Sequence, residues 1–124
     1  MKLITLCAAM ALAGCAPTTV TELEATGLQT ARYTSDKTPT EFADCAKPAY
    51  DLLLRLDPAH TRPTKSGLVI LKTTRAMDTL YIIGMITADA VEGGSSIAGV
   101  ATSHGMGSSS QRLREIEDVI RQCI

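Results

Sequence analysis

Two periodicities alternate along the chain. Phe42, Cys45, Ala46, Ala49, Leu52 and Leu53 recur at helical spacing, and Leu113, Ile116, Ile120 and Cys123 do so again near the end. Thr38-Pro39-Thr40-Glu41 opens the first of these helices: Thr38 can cap, Pro39 is preset for the first turn, and Glu41 can return the capping-box hydrogen bond. Pro48 removes a backbone donor inside that stripe, which predicts a kink or an early end. Ser108, Ser109 or Ser110 can cap the last helix.

Between the helices, 67–74, 79–88 and 95–102 are rich in β-branched residues, with turn-compatible residues around 76–78 and 92–94. Asp57-Pro58 and Arg62-Pro63 mark a loop before them. No connection among the three strands is long enough for a crossover helix, so an antiparallel meander is expected. In the second strand Leu80, Ile82, Ile86 and Ala88 share one face while Tyr81, Ile83 and Met85 share the other. Leu68 and Ile70 oppose Val69 and Leu71 in the same way in the first strand. Both faces of the sheet are therefore apolar.

The beginning of the chain has a different pattern. Lys2 precedes a charge-free apolar run from Leu3 to Ala11, too short to span a hydrocarbon core, and Leu12-Ala13-Gly14-Cys15 follows. This reads as a cleavable leader. The tetrapeptide ending at Cys15 resembles the lipobox of bacterial lipoproteins. That resemblance implies a leader at 1–14, a diacylglycerol on the Cys15 thiol, and a mature amine that is usually acylated as well. Two or three acyl chains hold a protein on a membrane where one does not. Ala16 after the anchor resembles the outer-membrane sorting context of enterobacteria, on the periplasmic side. The alternative is an ordinary secretory leader with a chance cysteine.

If Cys7 leaves with the leader and Cys15 carries lipid, Cys45 and Cys123 remain as a pair in an oxidising compartment. Joined, they would constrain the unfolded chain by about 4.5 kcal/mol on the chain-entropy argument. The alternative is two reactive or metal-binding thiols, against which stands the lack of CxxC spacing. A bridge between two buried stripes requires the helices to pack side by side. The expected fold is thus α+β, a two-layer sandwich ordered α-β-β-β-α. A three-stranded antiparallel meander carries two disulfide-joined helices on one face, and Ala98, Gly99 and Ala101 permit close helix approach. An all-β fold, or a helical hairpin with a disordered middle, is the alternative. Residues 15–36, rich in Thr and poor in apolar residues, read as a lipidated tether of roughly 25 Å reach, and 37–124 as the domain. A short helix around 21–26, closed by Gly27, is compatible with this stretch.

The Thr-Pro-x-Glu-Phe-x-x-Cys start at Thr38, the Gly-led strand at Gly67 and the terminal amphipathic helix ending in Cys123 resemble a group of small uncharacterised bacterial lipoproteins. The resemblance implies the fold and the disulfide; the group carries no catalytic motif to transfer. Where its members have an aromatic residue soon after the first cysteine, this chain has Pro48, Ala49 and Tyr50.

Composition narrows the function classes. In 124 residues, 12 basic and 13 acidic side chains leave no cationic footprint for nucleic acid. One Phe, three Tyr and no Trp provide few stacking platforms. His60 and His104 lie far apart without metal-ligand spacing, and no GxSxG surrounds Ser108, Ser109 or Ser110. Gly105-Met106-Gly107-Ser108 before a helix lacks the lysine of a phosphate loop. Glu115, Glu117 and Asp118 interleave with Arg112, Arg114 and Arg121 as a solvated, self-neutralising face. No catalytic, metal or cofactor residue is expected.

Two helices can cover only one side of the sheet. Val69, Leu71, Tyr81, Ile83 and Met85 are therefore the expected docking face for an envelope protein or a second copy. The other possibility is that the tether folds back over them through Val20, Leu23 and Leu28. The function expected is a non-catalytic, membrane-anchored envelope lipoprotein acting as a binding or structural module. A lipoprotein that excludes phage or inhibits a hydrolase is the alternative, and a small periplasmic enzyme a further one.

Overall fold

A computed structural model of the chain describes residues 19–52, 58–102 and 109–124. The described residues form an α+β fold with three helices and one antiparallel sheet of six strands. The helices are α1 (Val20–Thr26), α2 (Pro39–Asp51) and α3 (Ser109–Cys123). The strands are β1 (Leu28–Gln29), β2 (Tyr33–Ser35), β3 (His60–Pro63), β4 (Gly67–Ala76), β5 (Thr79–Val91) and β6 (Gly94–Ala101). They run in the order β1-β6-β5-β4-β3, with β2 also on β6.

The expected meander is present as β4-β5-β6, but it is the centre of a wider sheet. β3 pairs with β4 from His60↔Leu71 to Pro63↔Leu68. Its four residues are all exposed, so no apolar alternation marked it, and at a sheet edge Pro63 is tolerated although it cannot donate to the ladder. β1 and β2 extend the opposite edge by pairing with β6. Between them Thr30 bridges the gap: its amide donates to the Gly99 carbonyl and its hydroxyl accepts from the Gly99 amide, both at 2.9 Å. The stretch read as a free tether is part of the fold from Thr19 onward.

α2 begins as its sequence dictates. The Thr38 hydroxyl accepts from the Glu41 amide, and the Glu41 carboxylate accepts from the Thr38 amide. The helix then runs through Pro48 to Asp51 instead of ending there, with Pro48 on its exposed side. Phe42, Ala46 and Tyr50 are buried, while Cys45 and Ala49 are partly so. Leu52, expected on the stripe, is 80% exposed. Leu53 lies outside the described residues. In α3, Ile116, Ile120 and Cys123 are buried with Val119 between them.

The Cys45–Cys123 disulfide joins α2 to α3 with a Cα separation of 5.6 Å. Both helices share a core with Leu68, Ile70, Ile86, Ala88, Ile97 and Ala101 on one face of the sheet. Close approach depends on two glycines. A Cβ at Gly99 would meet Ile116 of α3 at 2.3 Å, and one at Gly84 would meet the Tyr50 hydroxyl at 2.4 Å. α1 packs on the opposite face, so the architecture has helices on both sides of the sheet, not on one.

Strand register also departs from simple alternation. Lys72 pairs with Gly84 but Thr73 pairs with Ile82, leaving Ile83 as the extra residue of a β-bulge. Ile82 consequently packs in one cluster with Met85, whereas Ile86 and Ala88 lie on the α2–α3 side. The expected grouping of Ile82 with Ile86 fails because one inserted residue reverses the parity of everything beyond it.

Candidate functional site

The face singled out for docking is lined by Val69, Leu71 and Met85, joined by Ile82 and Val100. Leu23 of α1 belongs to this cluster and is 0% exposed, with Val20 packed beside it. Thr19 caps α1 by accepting from the Glu22 amide at 3.2 Å, and the Gly27 amide donates to the Leu23 carbonyl at 2.8 Å. A seven-residue helix has little stability of its own, so docking of Leu23, worth about 1.5–3 kcal/mol, is what holds α1 in place.

Of the five residues named for a partner, Val69, Leu71, Ile83 and Met85 are buried and Tyr81 is half-buried. α1 covers Val69, Leu71 and Met85, whereas Ile83 at the bulge and Tyr81 beyond it do not belong to that cluster, so the five do not form one face. Val20 and Leu23 fold back as that alternative requires, whereas Leu28 is left 45% exposed on strand β1.

Beneath the other layer lies a buried polar group that sequence reading missed. Lys72 points toward α2 from β4 and is fully buried, its ammonium donating to the Asp51 carbonyl at 3.0 Å and lying 5.9 Å from the Tyr50 ring centroid. Arg112, assigned to the solvated face of the last helix, is instead buried and donates to the Thr102 carbonyl at 2.8 Å. Thr102 follows Ala101, which pairs with Gly84, and Gly84 pairs with Lys72, so these side chains meet around one row of the sheet.

Burial pushes the Tyr50 hydroxyl well above the ordinary tyrosine range, opposed by the nearby Arg112. Burial also lowers the Arg112 guanidinium, while Glu115 and Tyr50 favour its charge. Tyr50 is thus held as the neutral phenol with the Arg112 charge nearby. Lys72 serves the α2 terminus directly, placing a positive charge where the helix carbonyls and dipole favour one. The sequence signal for this group was a lysine directly after the apolar run Leu68 to Leu71, and it resembles an ordinary exposed position.

The remaining candidates are dispersed. His60 is exposed on the edge strand β3, and no group of three His, Cys, Asp or Glu that could hold a metal occurs among the described residues. His104, the 105–108 turn and Ser108 lie outside the described residues, as do Cys7 and Cys15. Ser109 and Ser110 are the first residues of α3. Glu117 accepts from Arg121 at 3.3 Å and from the Tyr33 hydroxyl at 3.3 Å on the outer side of α3. An open cavity of about 280 Å³ there is lined by Gln111, Arg114, Glu115, Glu117, Asp118 and Arg121.

Two further open cavities, of about 350 and 360 Å³, lie by the β5–β6 turn and between α2 and β3. Among the described residues no helix is long and apolar enough to cross a membrane. Comparison with protein-family models, with curated proteins and with solved structures finds no match.

Proposed function

We propose that this chain is a non-catalytic lipoprotein of the bacterial cell envelope, held by lipid on Cys15 at the periplasmic side of the outer membrane. Its folded body acts there as a binding or structural module. The observation that carries the reading is the Cys45–Cys123 disulfide between α2 and α3. A bridge across the body of a small domain suits an oxidising compartment. The two remaining cysteines, Cys7 and Cys15, fall in the leader region, and Cys15 closes the Leu12-Ala13-Gly14-Cys15 pattern. The leader, the lipid site and the bridge thus point to one destination.

Mass spectrometry of the protein isolated from its own membranes tests this. The expected species begins at Cys15 with acyl mass added and contains Cys45 and Cys123 as cystine. An uncut leader, or an unmodified residue at the mature amino end, would overturn the assignment. Crosslinking in intact cells is then expected to trap a stoichiometric envelope partner.

A further inference from the structure

The β4–β5 hairpin outruns the sheet that surrounds it. β3 pairs with β4 only as far as Leu71, and β6 pairs with β5 only as far as Gly84. Beyond those rows, residues 73–76 and 79–82 pair with each other alone among the described strands. Thr73 and Ile82 at the base of this ribbon are buried, whereas Arg75 and residues 77–80 at its end are exposed.

At its tip, beside the exposed Asp78, an apolar residue stands where solvent exposure and backbone geometry both disfavour it. Met77 is 97% exposed and Leu80 is 40% exposed. Met77 and Asp78 adopt left-handed φ values of 50° and 70°, a turn geometry in which Asn and Gly are favoured. Among the described residues nothing covers the Met77 side chain, so neither packing nor turn preference accounts for a methionine at this position. Arg75, exposed and paired in register with Leu80, adds a cation on an aliphatic stem.

A second observation concerns the distance from the lipid site to the fold. Thr19 already caps α1, and only four residue steps separate it from Cys15. Fully extended, those steps cover no more than about 14 Å. A lipid on Cys15 would therefore hold the fold against the headgroups instead of floating it away from them. α1 docks through Leu23 into the cluster that contains Ile82, at the root of the ribbon. The helix that follows the lipid site and the base of the ribbon thus share one cluster of the sheet.

We infer that the tip of the β4–β5 hairpin, Met77 and Leu80 with Arg75, inserts into the interfacial layer of the bilayer that carries the Cys15 lipid. This rests on the lipid-anchor reading. The occupant of the tip is a lipid surface, which accepts small apolar side chains beside a guanidinium without requiring a shaped pocket.

The chain has no tryptophan, so Met77→Trp introduces a single reporter. Leu80→Trp carries the same test should the first variant fail to fold, and Glu92→Trp reports from the opposite turn. Each is made in the full-length lipidated protein and bound to phosphatidylethanolamine–phosphatidylglycerol vesicles, with and without bromine on the acyl chains. The expected result is a blue shift and bromine quenching at positions 77 and 80, and neither at 92.

If the protein sediments with the vesicles while positions 77 and 80 keep solvent-like emission, the insertion is overturned and the anchor stands. If the protein carries no acyl chains and stays in solution, both readings fall. A blue shift without vesicles that grows with protein concentration overturns insertion in favour of a second copy covering the tip.

Discussion

The Lys72 ammonium, on the central hairpin, donates at 3.0 Å to the carbonyl of Asp51, the last residue of α2. Asp51 also accepts from the Ala59 amide through its carboxylate and lies 3.5 Å from Lys47. One residue at a helix end thus receives a strand, the following chain and its own helix. Lys72→Ala removes both the charged hydrogen bond and the buried stem, and should destabilise the fold by about 3 kcal/mol. Lys72→Met, which keeps the stem, should lose less. Urea unfolding of the two variants checks this; equal losses would show that the stem contributes nothing, and no loss in Lys72→Met that the charge contributes nothing.

Gly84 and Tyr50 form a second coupled pair. Because a Cβ at 84 would fall 2.4 Å from the Tyr50 hydroxyl, Gly84→Ala should destabilise by about 1–3 kcal/mol through overpacking. Tyr50→Phe removes the obstructing oxygen. A double-mutant cycle by chemical denaturation should therefore give a double variant more stable than the sum of the singles implies. Strict additivity would place the strain elsewhere.

Leu23→Ala should release α1. The substitution removes its one fully buried side chain, and a truncation of this kind costs about 2–4 kcal/mol when the whole fold feels it. Here the loss is limited by the docking energy of α1 itself. Amide exchange is expected to rise across 20–26 while Ile70 and Ile86 keep their protection. Uniform loss of protection would mean that α1 unfolds only with the entire domain.

The Thr38 cap makes stability depend on acid. Hydrogen bonds from Thr38, its backbone amide first and its side chain next, hold the Glu41 carboxyl below the ordinary carboxylate value, and Lys37 adds to the effect. A depressed folded-state value stabilises above the unfolded carboxylate range and loses that contribution as pH falls through the folded value. Glu41→Gln retains the hydrogen-bonding reach without the charge. The stability gap between wild type and this variant should be present at neutral pH and close on acidification, as read from urea midpoints.

Reduction of Cys45–Cys123, or its replacement by a serine pair, should cost about 2–5 kcal/mol. Thermal unfolding with and without reductant measures this directly. No change would show that helix packing alone holds α2 against α3.

The sequence by itself determined the elements that carry their own signal. The α2 start is local chemistry among Thr38, Pro39 and Glu41, and the three central strands and α3 are legible because their burial repeats at the period of the element. Cys45 and Cys123, both placed on inward stripes, were enough to bring α2 beside α3. Tertiary structure decided the rest. β1, β2 and β3 exist because a neighbouring edge offers hydrogen bonds, and backbone pairing leaves no hydrophobic pattern in mostly exposed residues. α1 is stabilised by a pocket assembled from β4, β5 and β6, so its helical state follows from residues far along the chain.

The bulge at Ile83 decided which apolar side chains share a face; its one sequence sign is the neighbouring Gly84, which does not say where the extra residue falls. Lys72 and Arg112 are inside for the same kind of reason. The carbonyls of Asp51 and Thr102 that accept from them come within reach only after the layers have packed, and a charged side chain with no visible acceptor reads as a surface residue.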